Sequence, residues 1–381
     1  MSLVPDSLRP SELAARLGML DALPNAVART SGMLRLFRAA VTQEPAPVAP
    51  TPADVVEQLG AARLIRYRRD EPARFRRPVL LCPSVINRHY VLDLKEDISV
   101  VKVLLEGGHD VFIIDWGDPG EAELNLDLAD FIVGRLRHFV DRVNEEAGSD
   151  DLHLVGHCLG GTMATALVAV DSSGVATLTN LTAPMDFHDD GILSAWTRAP
   201  FFDPRSLADA LGHIPAWLTQ PSFMILRPMG QPVKALRLFQ NLGNERFLEF
   251  FRCLETWIND NVDIPKGFYI DLIEKLYRQN ALLKGELVLA GQPAVLEEIT
   301  LPALTVCAKQ DHIVPPRSAV AGHERLGSKD KRLEVYDGGH IGVVVGGLAR
   351  RNLWPLLLDW FQTHAAPAGG DDKPVKKRRS A

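Results

Sequence analysis

The sequence predicts an α/β architecture, a mostly parallel central sheet flanked by helices, and three observations carry that prediction. Apolar, β-branched-rich runs recur at PVLLCPSV (78–85), DVFIIDW (110–116) and DLHLVGH (151–157), continuously apolar as strands buried on both faces must be. Between them, Leu94 to Glu106 and Leu126 to Ala147 place apolar residues three and four apart with charges between, which is the helical period. The alternation then breaks after VATLTNLTAPMDF (175–187) and resumes at LPALTVCAKQD (301–311), so the intervening chain is inserted into the domain.

Taken in order, residues 1–43 form an N-terminal helical segment, with Leu13, Leu17, Leu20 and Leu23 and then Met33, Leu34, Leu36 and Phe37 at roughly helical spacing. EPAPVAPTPAD, residues 44–54, is a stiff proline-rich linker. Residues 55–185 and 299–365 form the catalytic core. Within it a helix runs from Gly160 through MATALVAV, RLEVYDG (332–338) is the last strand, and LARRNLWPLLLDWFQTH (348–364) is the closing helix. Residues 186–298 are the insertion, a mainly helical cap. Its aromatics, among them Trp196, Trp217, Phe247, Phe250, Phe251 and Trp257, are read chiefly as the cap's own core. The tail 366–381, rich in Gly, Asp and Lys, is expected to be disordered.

Composition narrows the function. A chain of 381 residues with 46% hydrophobic and 24% charged content and a net charge of −6 is globular and has no general electrostatic reason to bind nucleic acid. The basic run Lys373 to Arg379 reads as a solvated tail. MSLVPDSLRP has neither a basic n-region nor an apolar h-region, and no apolar stretch is long enough to span a bilayer, so the expectation is a soluble cytoplasmic protein. Cys82, Cys158, Cys253 and Cys307 show neither close pairing nor a zinc pattern, which disfavours a disulfide framework and a metal site. Three of them lie in apolar strand or helix contexts and read as buried core.

The fourth does not. VGHCLGGT (155–162) ends a strand and opens a helix with the nucleophile-elbow pattern Gly156-x-Cys158-x-Gly160, followed by Gly161. Cysteine stands where serine usually stands. A nucleophile on so sharp a turn needs small neighbours, and the helix start aims free amides at it. The N–H of Leu159 is therefore one half of an oxyanion hole. For the pentapeptide alone a buried structural cysteine is the competing reading. Context decides between them: Asp311 in KQDHIVPP and His340 in YDGGHIGVVVG each follow a strand, giving the order nucleophile, acid, base of the α/β-hydrolase fold. The loop PSVINRHY after the first core strand places the second oxyanion amide at Val85 or Ile86. His157 and His312, beside the nucleophile and the acid, read as packing or hydrogen-bonding residues.

Several long segments, in order, resemble the polyhydroxyalkanoate synthases, and among them the short class III catalytic subunits. They are VINRHYVLDL (85–94), DVFIIDWGDPG (110–120), GHCLGGT (156–162), LTAPMDFHDDGILSAW (181–196), LYRQNALLKGELVLAGQ (276–292), QDHIVPP (310–316) and GGHIGVVVG (338–346), spread over Leu64 to Phe361. The resemblance implies that Cys158 accepts hydroxyacyl groups from coenzyme A thioesters, short-chain 3-hydroxybutyryl-CoA foremost, and passes them to a growing polyester. His340 would be the general base, and Asp311 would either work with that histidine or assist activation of the hydroxyl of the incoming monomer. It further implies no metal and no bound cofactor, a second, non-catalytic subunit of PhaE type, and residence at polymer granules. Whether the active form is a homodimer stays open. His157 departs from the family, where an apolar residue is usual, and makes the elbow read like GHSLGG of lipases. A cysteine hydrolase of the same fold, an acyl-CoA thioesterase or polyester depolymerase, is thus the competing function, sharing the triad and differing in admitting water.

Overall fold

A computed structural model describes residues 46–226 and 230–366, with the side chains of 223–225 and 231 left aside. The N-terminal helical segment 1–43 and the tail from 367 onward lie outside the described residues.

Eight strands form one sheet: β1 (Ala53–Leu59), β2 (Ala62–Tyr67), β3 (Val79–Cys82), β4 (Val111–Asp115), β5 (Leu152–His157), β6 (Val175–Leu181), β7 (Ala303–Ala308) and β8 (Lys331–Tyr336). Their spatial order is β1-β2-β4-β3-β5-β6-β7-β8. From β4 to β8 every pairing is parallel. β3, β4, β5 and β7 are buried at every position, as their unbroken apolar runs require. The hairpin β1–β2 adds antiparallel pairing at one edge. No expectation covered it, because its charged, partly exposed residues lack a continuous apolar run, and its first strand takes Ala53 and Asp54 out of the proline-rich linker.

The core helices are α1 (Val100–Glu106), α2 (Arg137–Ala147), α3 (Leu159–Val170), α4 (Pro316–Arg325) and α5 (Trp354–Thr363). α1 starts six residues later than the periodicity from Leu94 predicts. Asp93–Lys95 pairs instead with Ile98–Ser99, and the buried Asp93 carboxylate accepts hydrogen bonds from the hydroxyls of Ser99 (2.6 Å) and Thr51 (2.8 Å). Ser99 then caps α1 by accepting from Lys102 N–H. The stretch expected as one helix from Leu126 runs as a π-helical turn, Asp130–Leu136, into α2, which stops at Gly148 in the left-handed region.

Side-chain alternation along β5 assigns the two faces. His153 accepts or donates at Thr177 Oγ1 (2.9 Å) and stacks on Phe361 of α5 at 4.7 Å, whereas Asn180, in register with Gly156, donates to Thr165 of α3. His157 therefore shares the α5 face with His153, and Gly156 faces α3. α3 is buried throughout its length except at its last residue, a helix enclosed by the domain.

The segment between β6 and β7 is mainly helical, with helices Ile192–Thr197, Pro204–Leu211, Ala216–Ile225, Gly230–Gln240, Glu245–Asn259 and Lys266–Asp271, then a π-helical Leu272–Arg278 and the short Ala281–Lys284. It does not form one body with boundaries 186–298. Among the described residues, 230–256 group with Ala46 and Pro47, while 186–226 and 257–298 belong to the unit that contains the sheet. Hydrogen bonding gives the reason. In the sheet unit Phe187 N–H donates to Asn280 Oδ1 (3.0 Å), Asn280 Nδ2 donates to Asp186 (2.8 Å), and His188 Nε2 bonds the Arg278 carbonyl (3.0 Å). In the other unit Ala46 N–H donates to Thr256 and Lys234 pairs with Glu255.

Candidate active site

Cys158 sits between β5 and α3 with φ 55° and ψ −131°. That left-handed backbone costs a residue with a Cβ about 1–3 kcal/mol, and such strain is kept where a function uses it. The turn is held by Cys158 N–H donating to Leu181 O and Gly161 N–H donating to Cys158 O, both 2.9 Å. Its glycines are required by close approach. A Cβ on Gly156 would stand 2.2 Å from Gly161 Cα, one on Gly160 2.1 Å from the Cys82 carbonyl oxygen, and one on Gly161 2.5 Å from Ala183 Cβ. The thiol is half-buried.

The structure brings the three predicted residues together. Asp311 lies in the loop after β7 and His340 in the loop after β8, and His340 Nδ1–H donates to Asp311 Oδ2 at 2.6 Å, both side chains almost wholly buried. The other Asp311 oxygen accepts from the N–H groups of Ile313 and Val314, each 2.9 Å, so the carboxylate is aimed by its own loop. Nε2 is the nitrogen left for Cys158. Burial alone would push the His340 imidazole down; the charge of Cys158 and hydrogen bonds to Asp311 and Cys158 outweigh it and raise the value to about 10. The His340 imidazole therefore holds its proton well above the ordinary histidine range. Burial pushes the Cys82 thiol well up and that of Cys307 to about 12, so neither is ionised at neutral pH.

Two backbone segments meet at the nucleophile. Leu159 opens α3, with its N–H in the unpaired first turn. The chain leaving β3 passes over Gly160 at Cys82 and Pro83, and Trp116 Nε1–H fixes it by donating to Pro83 O at 2.9 Å. Of the two predicted amides in this loop, Ile86 N–H is turned toward Ser84 Oγ (3.3 Å).

His157 adjoins the site, and the charge of Cys158 reaches Tyr277. His157 is buried with its ring 5.8 Å from that of His340. Burial, and after it the charge of His340, lowers its value to about 3, which keeps it neutral. Tyr277 carries no role in the sequence analysis although it stands within LYRQN. It lies on the π-helical turn, packs edge-on against Phe187 at 4.9 Å, and is pushed well up by burial and then by the charges of Cys158 and Asp189.

Residues 77–346 match the family described as the alpha/beta hydrolase fold, and residues 27–104 match the poly-beta-hydroxybutyrate polymerase (PhaC) N-terminus. The chain is 35% identical to the poly(3-hydroxyalkanoate) polymerase subunit PhaC of Haloferax mediterranei, over 86% of this chain and 67% of that one. It is likewise 35% identical to the subunit of the same name from Allochromatium vinosum, over 78% and 84%. Among solved structures, a soluble variant of monoglyceride lipase from Saccharomyces cerevisiae superposes with a TM-score of 0.52 at 14% identity, covering 84% of this chain and 97% of that one. The last likeness is one of fold.

Proposed function

The chain belongs to the PhaC family of poly(3-hydroxyalkanoate) polymerase subunits, and we propose that it builds such a polyester by passing hydroxyacyl groups from coenzyme A thioesters through Cys158. The observation that carries this is a half-buried thiol on a strained elbow beside a histidine whose far nitrogen is committed to a buried carboxylate.

Loading begins when His340 takes the thiol proton and the Cys158 sulfur attacks the thioester carbonyl. A tetrahedral oxyanion forms, which the N–H of Leu159 and, in this reading, that of Val85 stabilise. Collapse breaks the carbonyl–sulfur bond to coenzyme A, and His340 returns the proton to the departing thiolate. Exchange of one thioester for another is nearly isoenergetic, so cysteine suits the step better than serine. In the second half His340 takes the proton of an incoming hydroxyl, whose oxygen attacks the acyl-cysteine. An ester forms, the carbon–sulfur bond breaks and the thiol is restored. Asp311 keeps the imidazole in one tautomer throughout.

Three extensions accompany this reading: a preference for short-chain monomers such as 3-hydroxybutyryl-CoA, a second non-catalytic subunit, and work at the surface of polymer granules in the cytoplasm. No helix among the described residues is long and apolar enough to cross a membrane. The test is incubation of purified protein with 3-hydroxybutyryl-CoA, with and without a candidate partner subunit, following coenzyme A release and insoluble polymer together. Both are expected, and both should vanish in Cys158→Ala. Release with only free hydroxy acid would replace the polymerase by a thioesterase.

A further inference from the structure

The loop after β3, residues 84–92, is gripped by a short stretch of the insertion, 257–262, within the sheet unit. Val262 N–H donates to Ile86 O (3.1 Å), Asn87 Nδ2 to Asn261 Oδ1 (2.6 Å) and Trp257 Nε1 to Arg88 O (2.9 Å). The side chain that takes two of this loop's residues at once is Asp260. Its Oδ1 accepts from Arg88 Nε (2.9 Å) and its Oδ2 from the Tyr90 hydroxyl (2.7 Å). Arg88 Nη2 is held from the other side by Asp118 (2.8 and 3.0 Å).

None of these groups belongs to the triad. The loop they hold, however, follows directly on Cys82 and Pro83, which lie against Gly160 of the elbow, with Pro83 anchored by Trp116. One end of the loop is thus fixed by the core and the other by 257–262, where Asp260 is the side chain that holds two of the loop's residues. A backbone amide can stabilise an oxyanion only if held to within a fraction of an ångström, and a loop tied at one end does not hold it so.

We propose that Asp260 is a positioning residue for the oxyanion loop: by clamping Arg88 and Tyr90 from the insertion it sets the Val85 amide against the carbonyl attacked by Cys158. This rests on the acyl-transfer reading above. It makes the insertion part of the catalytic geometry through residues that touch no substrate.

The experiment compares full-length wild type with Asp260→Ala, Asp260→Asn and Asp260→Glu. Acylation by 3-hydroxybutyryl-CoA is measured as kcat and KM separately, and Cys158 alkylation by iodoacetamide in parallel. Alkylation at a saturated carbon forms no oxyanion, so it reports the nucleophile alone. Asp260→Ala should lower kcat by about 10- to 100-fold with KM changed less than about 2-fold. Alkylation should be unchanged, Asp260→Asn intermediate, and Asp260→Glu partly restored. Hydrogen exchange supplies a readout that needs no turnover: the amides of 84–90 should exchange faster in Asp260→Ala while those of 156–162 do not. Wild-type kcat in a folded Asp260→Ala, alkylation falling together with acylation, or unchanged exchange in 84–90 would each overturn the proposal. A wild type that alkylates yet releases no coenzyme A would indict the proposed acyl donor instead, and the exchange result would then decide the clamp.

Discussion

Gly160→Ala probes the contact on which the site geometry turns. The added Cβ would stand 2.1 Å from the carbonyl oxygen of Cys82, 2.5 Å from that of Pro83 and 2.7 Å from the Pro83 carbonyl carbon. All three are backbone atoms, so no flexible side chain can swing away. An ordinary carbon–oxygen contact is about 3.3 Å, so the elbow and the β3 loop must part by about 1 Å. Overpacking of this kind costs about 1–3 kcal/mol of stability. The same movement separates the Leu159 amide from the Val85 amide, and a misplacement of about 1 Å in a catalytic constellation costs about 100-fold in rate. The assay is coenzyme A release from 3-hydroxybutyryl-CoA, normalised to folded protein, beside a urea unfolding curve. We expect a lower midpoint and a rate per folded molecule reduced by about two orders of magnitude. A destabilised variant that turns over at the wild-type rate would show that the elbow contact holds the fold without setting the catalytic geometry. A variant unchanged in both would refute the packing argument itself.

Two further outcomes follow from the Asp311–His340 pair. Asp311→Asn keeps the shape but presents His340 Nδ1 with an amide in place of the carboxylate at 2.6 Å; coenzyme A release should fall by about 10³- to 10⁴-fold, as loss of the orienting carboxylate does in serine triads, and a loss under 10-fold would mean that Asp311 is a loop-capping residue. His340 is raised from its ordinary 6.5 to about 10 on folding, so the stability it contributes is full below about pH 6.5 and is lost as pH rises toward 10. Urea midpoints between pH 6 and 10 should decline in wild type more steeply than in His340→Gln, and parallel declines would contradict a proton held on that imidazole.

What the sequence by itself determined is what depends on neighbours along the chain. The unbroken apolar runs at β3, β4, β5 and β7 could be satisfied only by burial on both faces. The glycines around Cys158 announced a crowded turn, and the order of cysteine, aspartate and histidine at strand ends marked those three as site candidates, of which Asp311 and His340 are hydrogen-bonded. Local competition blurred boundaries: the period from Leu94 was helical, yet the buried Asp93 carboxylate and its Ser99 partner drew those residues into a small hairpin. Tertiary structure alone decided that Gly160 faces the Cys82 carbonyl, that Tyr277 packs on Phe187 and His157 stands beside His340, and that Asp260 reaches Arg88 and Tyr90 across more than 160 residues of chain. It also divided the insertion between two units. The physical reason is common to all of these: periodicity reports which face of an element is buried, while a contact between distant segments depends on how loops of irregular backbone fold back. That geometry is set by hydrogen bonds and close approaches whose two halves carry no mark of each other in the sequence.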